Sequence, residues 1–339
     1  EVLAVVKADA YGHGLVPVAK CAVDAGATWL GVALLEEAFL LREAGIKAPI
    51  VSWLTPPSSD FKRAIELDID LAIPSLKHLE LIVAAGKVAG KKPRVHIEVD
   101  TGMSRGGLLG EWSEFLIAAT EAEIDVVGFW SHFARADEPD EIANQNQLND
   151  FEKKLAQLIE VGITPKYVHL ANSAATLTNP SSHKNIVRLG IAMYGLSPDV
   201  KTMGPSQDLE LEPAMALKAE IQLVKRVPGG SPVGYGGTQI TSSDTKLAII
   251  TMGYSDGIPR NTSSAAGVYA AGRRAPIIGR VSMDQFVVDL GADSNAVSGE
   301  IVEVFGPLGY SIDDWAAASG TINYEIVTRI ASRVPRIYA

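Results

Sequence analysis

Over the first 200 residues, short apolar runs alternate with stretches in which apolar residues recur at helical spacing. The runs predict eight strands: Leu3–Lys7, Trp29–Leu34, Ile50–Leu54, Leu71–Pro74, Val95–Asp100, Val126–His132, Tyr167–Ala171 and Ile186–Ile191. The intervening stretches predict helices, among them Leu15–Ala25, Leu35–Glu43, Leu76–Ala89 and Leu148–Val161. This α/β alternation with eight strands favours a (β/α)8 TIM-like barrel. A doubly wound sheet is the alternative, but no G-x-G-x-x-G follows the first strand.

The second part of the chain has a different pattern, with few helical intervals after about residue 205. Its predicted strands are separated by Gly and Pro turns and cover Ala219–Val227, Leu247–Met252, Val268–Ala271, Val281–Leu290 and Ile301–Phe305. One short helix is predicted over Ile312–Ala318. The pattern therefore predicts two domains, a barrel over residues 1–204 and a mostly β C-terminal domain over residues 205–339.

Composition agrees with this division and narrows the function classes. A length of 339 residues is typical of two domains, and 47% apolar with 21% charged residues supports large cores rather than disorder. The net charge is −10 and no basic stripe is present, which argues against nucleic-acid and anionic-membrane partners. No apolar run approaches the roughly 18 residues of a membrane span.

A single cysteine, Cys21, leaves no intrachain disulfide or thiolate-rich metal site, and fits a reducing cytoplasm. The six histidines include His13, His96 and His169, which do not form a metal-ligand pattern, so no metal is expected. The chain opens at Glu1 inside an apolar stretch and without Met. We therefore expect an N-terminal piece to be missing, and a cytoplasmic location rather than a cleaved signal.

Lys7 closes the first predicted strand, and strand ends of this kind face the active site of a barrel. A lysine on an apolar strand is costly unless it is paired, exposed or used. Two interpretations remain open from position alone: a snorkelling lysine, or a Schiff-base lysine for a carbonyl cofactor. The glycines Gly12 and Gly14 open the next helix, where backbone N–H groups and Tyr11 would meet a phosphate.

The run from Val5 to Gly14, VVKADAYGHG, resembles the pyridoxal-phosphate attachment motif of alanine racemases. The resemblance continues in order along the whole chain, in the blocks Asp100–Arg105, Ser131–Ala134, Ala171–Ala174, Arg188–Ile191, Val233–Gly236, Gly253–Gly257, Gly279–Gln285 and Asn323–Glu325. It implies a pyridoxal-phosphate barrel followed by a β domain. It also implies interconversion of L- and D-alanine, with D-alanine supplied to peptidoglycan.

Racemisation needs an acid/base group on each face of the substrate, because the α-proton leaves from one face and returns to the other. The resemblance assigns these catalytic roles to Lys7 and Tyr235, acting on the pyridoxal-phosphate imine, Lys7 for the D-isomer and Tyr235 for the L-isomer. Arg188 is expected at the pyridine nitrogen, with His132 linking Arg188 to Tyr235. An arginine there gives that nitrogen no proton.

The resemblance also implies the remaining contacts and the assembly. The expected cofactor-binding residues are Lys7, Tyr11, His132, Ser173, Arg188, Gly190 and Ile191. The expected substrate-binding residues are Arg105, Tyr254 and Met283. Since the family brings the β-domain residues from the partner chain, a homodimer with shared active sites is expected.

Two positions depart from the family pattern. Glu98 stands where a lysine, often carbamylated, supports the arginine equivalent to Arg105, so a direct Glu98–Arg105 salt bridge is expected. Ser332 stands where a tyrosine contacts the phosphate and narrows the pocket. This second departure leads to the hypothesis of activity on serine alongside alanine.

Three alternatives stay in view. One is a racemase of the same architecture acting on serine or a longer side chain. A decarboxylase of the related barrel class fits the Arg188 and Tyr235 blocks less well. A non-catalytic pyridoxal-phosphate homeostasis protein has a single barrel, and the second domain argues against it.

Overall fold

The computed structural model describes residues 1–339 and divides into two compact units. The first unit comprises residues 1–10 and 14–211, and the second comprises residues 11–13 and 212–339.

The first unit is built on eight parallel strands. They are β1 (Val2–Val5), β2 (Trp29–Val32), β3 (Ile50–Ser52), β4 (Ile69–Ile73), β5 (Arg94–Glu98), β6 (Asp125–Trp130), β7 (Tyr167–His169) and β8 (Val187–Leu189). From β1 to β7 each strand pairs with the next one along the chain, and β8 pairs with β1 on its other side. Between β7 and β8, the N–H of Arg188 donates to the carbonyl of Ala171 at 3.0 Å. The predicted α/β barrel is therefore confirmed.

The barrel strands are largely buried on both faces, because side chains fill the interior and helices cover the outside. All residues of β2 and β4 are buried. The helices cover Leu15–Asp24, Leu35–Glu43, Phe61–Glu66, Leu76–Ala89, Trp112–Glu121, Ile142–Glu160, Ser173–Thr178 and Val200–Met203. The predicted helices Leu35–Glu43 and Leu76–Ala89 match. The helix predicted from Leu148 begins earlier, at Ile142. The prediction misses its first two turns because they carry mostly polar residues and show little apolar periodicity.

The end of the first strand differs from the prediction. The strand stops at Val5, and the backbone then turns left-handed, with φ between 52° and 55° at every residue from Ala8 to Tyr11. Each left-handed residue with a Cβ costs about 1–2 kcal/mol. The turn is held by Glu37, whose carboxylate accepts the N–H of Ala8 at 2.6 Å. Lys7 thus stands just beyond the strand, at the entrance of this turn.

The strands of the second unit are β9 (Leu217–Val227), β10 (Pro232–Val233), β11 (Gln239–Ile240), β12 (Thr245–Ile250), β13 (Gly267–Ala270), β14 (Arg273–Pro276), β15 (Phe286–Asp289) and β16 (Ile301–Phe305). They form a six-stranded antiparallel sheet in the order β14-β13-β16-β9-β12-β15, plus a β10–β11 hairpin. Two helices, Ile312–Ser319 and Asn323–Thr328, complete it. The predicted β character is confirmed, whereas the strand predicted from Val281 starts only at Phe286. None of the helices in the two units combines the length and the apolar character that a membrane span requires.

Candidate active site

Five of the expected site residues lie on or just beyond strands of the barrel unit. Lys7 follows β1, His132 follows β6, Ser173 follows β7, and Arg188 and Gly190 lie in and after β8. Because carboxyl ends of parallel strands share one edge of a barrel, this arrangement brings them to the same mouth.

Arg188 is buried and its guanidinium is fixed by backbone carbonyls. Its NH1 donates to the carbonyl of His169 at 2.9 Å, and its NH2 donates to those of Ser131 at 2.8 Å and Leu170 at 3.1 Å. The Nε–H has no protein acceptor, so it is the one group of this guanidinium left for a ligand. Burial lowers the pKa of Arg188 to about 9, with Glu98 opposing the shift, so the side chain stays cationic at neutral pH.

His132 is held in one tautomer by Arg188. Its Nδ1 lies 3.2 Å from NH2 of Arg188, and a guanidinium can only donate, so Nδ1 accepts and Nε2 carries the proton. Burial, followed by the charges of Arg188, Arg105 and Lys7, holds the pKa of His132 well below its usual value. His132 is therefore a neutral donor through Nε2.

The Lys7 amine makes no hydrogen bond or ion pair within the protein. Burial lowers its pKa, the positive charge of Arg105 adds to this effect, and Glu37 opposes it. A lysine that is desolvated and placed beside another cation is the type that acts as a nucleophile toward carbonyl groups. The geometry favours the functional interpretation of Lys7 over a snorkelling one.

Ser173 and the segment after β8 form a group of donors. The Ser173 hydroxyl oxygen accepts the N–H groups of Gly190 at 2.9 Å and Ala192 at 3.3 Å, which leaves its own proton free to be donated. The N–H of Ile191 has no acceptor in the protein. Asn172 fixes the chain before Ser173 by accepting the N–H of Ala175 at 3.0 Å. The Ser173 hydroxyl and the Ile191 N–H are thus both free to donate, which suits an anionic group such as a phosphate.

The expected salt bridge between Glu98 and Arg105 is wrong for this structure, since no ion pair joins the two side chains. Glu98 lies beneath the following loop, where a Cβ on Gly106 would come within 3.2 Å of its Oε1. Burial raises the pKa of Glu98 to about 7, against the lowering effects of Arg188 first and Arg105 second. Arg105 is exposed, on a turn that Asp100 organises by accepting the N–H groups of residues 102–104.

The expected residues of the second unit are exposed. Tyr235 is 73% exposed, Met283 55% and Tyr254 38%. Tyr11 is different: it is buried, which raises its pKa to about 12, and its ring centroid lies 6.2 Å from that of Tyr324.

Arg333 is a residue that the sequence did not single out. Its guanidinium binds the Asp256 carboxylate at 2.6 and 2.9 Å and Asp284 at 2.6 Å, and also contacts the Ser255 hydroxyl. It thereby joins the two loops that carry Tyr254 and Met283. An arginine two residues before a proline is a weak signal on its own, and only the fold brings these acidic residues to it.

The sequence matches known families over both units. The family model for the N-terminal domain of alanine racemase matches residues 1–198, and the model for its C-terminal domain matches residues 214–338. The chain belongs to the alanine racemase family. The alanine racemase of Salinispora tropica is 47% identical over all of this chain and 92% of the relative, and that of Thermobifida fusca is 46% identical over 100% and 91%.

Solved alanine racemases have the same fold. That of Streptomyces lavendulae superposes with a TM-score of 0.97 at 45% identity, over 100% of this chain and 90% of the other. The Bacillus anthracis alanine racemase, solved with bound L-Ala-P, has a TM-score of 0.91 at 40% identity, over 100% and 88%.

Proposed function

We propose that this chain interconverts L- and D-alanine with pyridoxal phosphate held at the barrel mouth. The observation that carries the proposal is the unpaired, desolvated amine of Lys7 just beyond β1. Family membership supports the reaction.

The open groups of the barrel mouth fit the parts of the cofactor. Lys7 offers an amine for its carbonyl, Arg188 an Nε–H for its ring nitrogen, and Ser173 with Ile191 offers donors for its phosphate. When bound, the cofactor withdraws electron density from the substrate Cα and makes the α-proton more acidic. Arg188 donates a hydrogen bond to the ring nitrogen without giving up its proton.

The protein must then move a proton at each face of the substrate. We assign one face to the Nζ of Lys7 and the other to the phenol of Tyr235. A free lysine at pH 7 pays about 4.6 kcal/mol to become neutral, and burial and Arg105 reduce this cost by lowering the pKa of Lys7. His132 donates from Nε2, which favours the deprotonated phenol on the second face. Arg105 is assigned to the substrate carboxylate.

The test uses borohydride, which reduces a lysine–carbonyl linkage to a stable amine. In protein loaded with pyridoxal phosphate, the reduced cofactor should map by mass spectrometry to the peptide containing Lys7, and D-alanine should form from L-alanine before reduction. Lys7→Ala should lose both properties, whereas the exposed control Lys20→Ala should keep both. Labelling of another lysine, or full activity of Lys7→Ala, would contradict the assignment.

A homodimer with shared sites is the second part of the proposal. The exposure of Tyr235, Met283 and Tyr254 supports their use by a second copy of the chain. Lys7→Ala and Tyr235→Phe should each be inactive alone. If the sites are shared, mixed dimers contain one intact site, and random mixing should restore up to about a quarter of wild-type activity. No recovery in dimers shown to exchange subunits would place both residues in one chain.

The third part of the proposal concerns the range of substrates and depends on Ser332, which is exposed and shorter than the tyrosine it replaces. We propose that serine is a slower second substrate. Comparison of kcat/KM for the two amino acids tests this, and Ser332→Tyr should depress the value for serine more than that for alanine. An absence of serine turnover would refute it.

A further inference from the structure

A line of hydrogen bonds runs from Arg188 through the core of the barrel, away from the site. NH1 of Arg188 lies 3.2 Å from Nδ1 of His169, and Nε2 of His169 lies 2.9 Å from Nδ1 of His96. The Nε2 of His96 lies 3.2 Å from Oδ2 of Asp70. Arg94 closes the line by donating to the two carboxylate oxygens of Asp70 at 2.8 and 3.1 Å. Apart from Arg94, every side chain in the line is buried.

The two ends of the line fix the protons in between. A guanidinium only donates, so Nδ1 of His169 accepts from Arg188 and its proton is on Nε2. That proton is donated to Nδ1 of His96, whose own proton is then on Nε2 and is donated to the Asp70 carboxylate. Burial, with the charges of His96 and Arg188, holds the pKa of His169 well below its usual value, so it stays neutral.

The side chains packed around His96 and His169 leave just enough room for the two imidazole rings. A Cβ on Gly128 of β6 would lie 2.1 Å from Nδ1 of His96, so only glycine leaves room for that ring. The ring of Trp130 stacks on His169 with centroids 5.7 Å apart and 3° between the planes. Trp29 contacts His96 edge-on at 5.2 Å. Both imidazole rings are therefore closely packed within the barrel.

We propose that Asp70 and His96 are positioning residues for Arg188, acting through the tautomer of His169. They keep a lone pair, rather than an N–H, facing the guanidinium. With the opposite tautomer, two donors would meet inside a dry core, and Arg188 would shift from the position that aims its Nε–H into the site. The proposal rests on the proposed function in one respect, that Arg188 contacts the cofactor.

The variant that tests this is Asp70→Asn, which keeps the shape of the side chain and removes its charge. An amide can donate to Nε2 of His96, which allows both histidines to adopt the opposite tautomer, as happens when the aspartate of a serine-protease triad is replaced by asparagine. We expect kcat for alanine to fall about 10–100-fold, as for other residues that orient a functional group through a hydrogen bond, with a smaller change in KM. Asp68→Asn is the matched control, since Asp68 is exposed, pairs with Lys91, and should leave kcat unchanged.

The second readout is independent of activity. In holoenzyme labelled with ¹⁵N-histidine, His96 and His169 should each show a protonated Nε2 and an unprotonated Nδ1. In Asp70→Asn, the proton of each ring should move to Nδ1. An Nδ1-protonated or doubly protonated His169 in the wild-type protein would overturn the proposal, even if Asp70→Asn fails to fold. So would unchanged kcat in folded Asp70→Asn. A wild-type protein that lacks racemase activity would instead refute the proposed function and leave the tautomers readable.

Discussion

Gly128→Ala should be strongly destabilising, although alanine is normally the better residue in a strand. Gly128 has an ordinary extended backbone on β6, and replacing glycine by alanine there would gain about 0.5–1 kcal/mol if space allowed. The new Cβ, however, would lie 2.1 Å from Nδ1 and 2.6 Å from Cγ of His96, a contact that real atoms do not make. His96 is fully buried, so its ring must be displaced together with its hydrogen bonds.

The magnitude follows from two contributions. Overpacking a core costs about 1–3 kcal/mol. Leaving a buried hydrogen-bonding group unsatisfied costs about 1–3 kcal/mol more, here at Asp70 or His169. After the backbone gain of about 0.5–1 kcal/mol is subtracted, we expect a net loss of about 1–5.5 kcal/mol, which for a unit of this size corresponds to a fall in Tm of roughly 2–20 °C.

The assay is thermal and urea unfolding of Gly128→Ala beside Gly110→Ala. Gly110 has no atom within 4 Å of its would-be Cβ and no positive φ, so its alanine variant should stay within about 0.5 kcal/mol of wild type. A Gly128→Ala protein as stable as wild type, with the ¹⁵N signals of His96 unchanged, would show that the strand accommodates the new Cβ without displacing His96.

Three other substitutions have defined outcomes. Ala8→Gly should stabilise the protein by about 0.5–1 kcal/mol, because glycine removes the left-handed penalty at φ 55° but loses more entropy on folding; a lower denaturation midpoint would contradict this. Burial raises the pKa of Glu98 to about 7, so the folded protein binds this proton more tightly than the unfolded chain does. The free energy of unfolding therefore decreases as pH rises from about 4.5 to above 7. Glu98→Gln should therefore be more stable than wild type by about 1–3 kcal/mol at pH 8, with the difference vanishing below about pH 5, and equal pH profiles would exclude it. Arg333→Lys should raise KM for alanine more than it lowers kcat, because the loops of Tyr254 and Met283 lose their common clamp; an unchanged KM would show that the clamp is dispensable.

The barrel could be predicted because the apolar pattern within each short segment of the chain distinguishes its strands from its helices. Strands buried on both faces are near-continuous apolar runs, and helices between them carry one apolar face. Element ends were less accurate, since they depend on caps and on tertiary contacts. The left-handed turn after Lys7 had no sequence signal, because it contains no glycine from Ala8 to Tyr11 and is stabilised from a distance by Glu37.

The site could be predicted only as separate motifs. The block around Lys7 and the arginine of β8 were identified by resemblance, and the fold places Arg188 against His132 as expected. The predicted Glu98–Arg105 salt bridge is wrong because it rests on the family pattern and on opposite charge, and neither shows that loop glycines cover Glu98. His96 and His169 were recognised only as unsuited to a metal. Their contact requires the inward faces of β5 and β7 to meet inside the barrel.

In the proposed function, this chain equilibrates the two enantiomers of alanine through Lys7. The most direct test follows both reactions, from pure L-alanine and from pure D-alanine, by chiral chromatography with pyridoxal phosphate present. Both solutions should converge on the same equal mixture, and neither should change with Lys7→Ala. Consumption of only one enantiomer, loss of carboxylate as carbon dioxide, or convergence that persists in Lys7→Ala would contradict it.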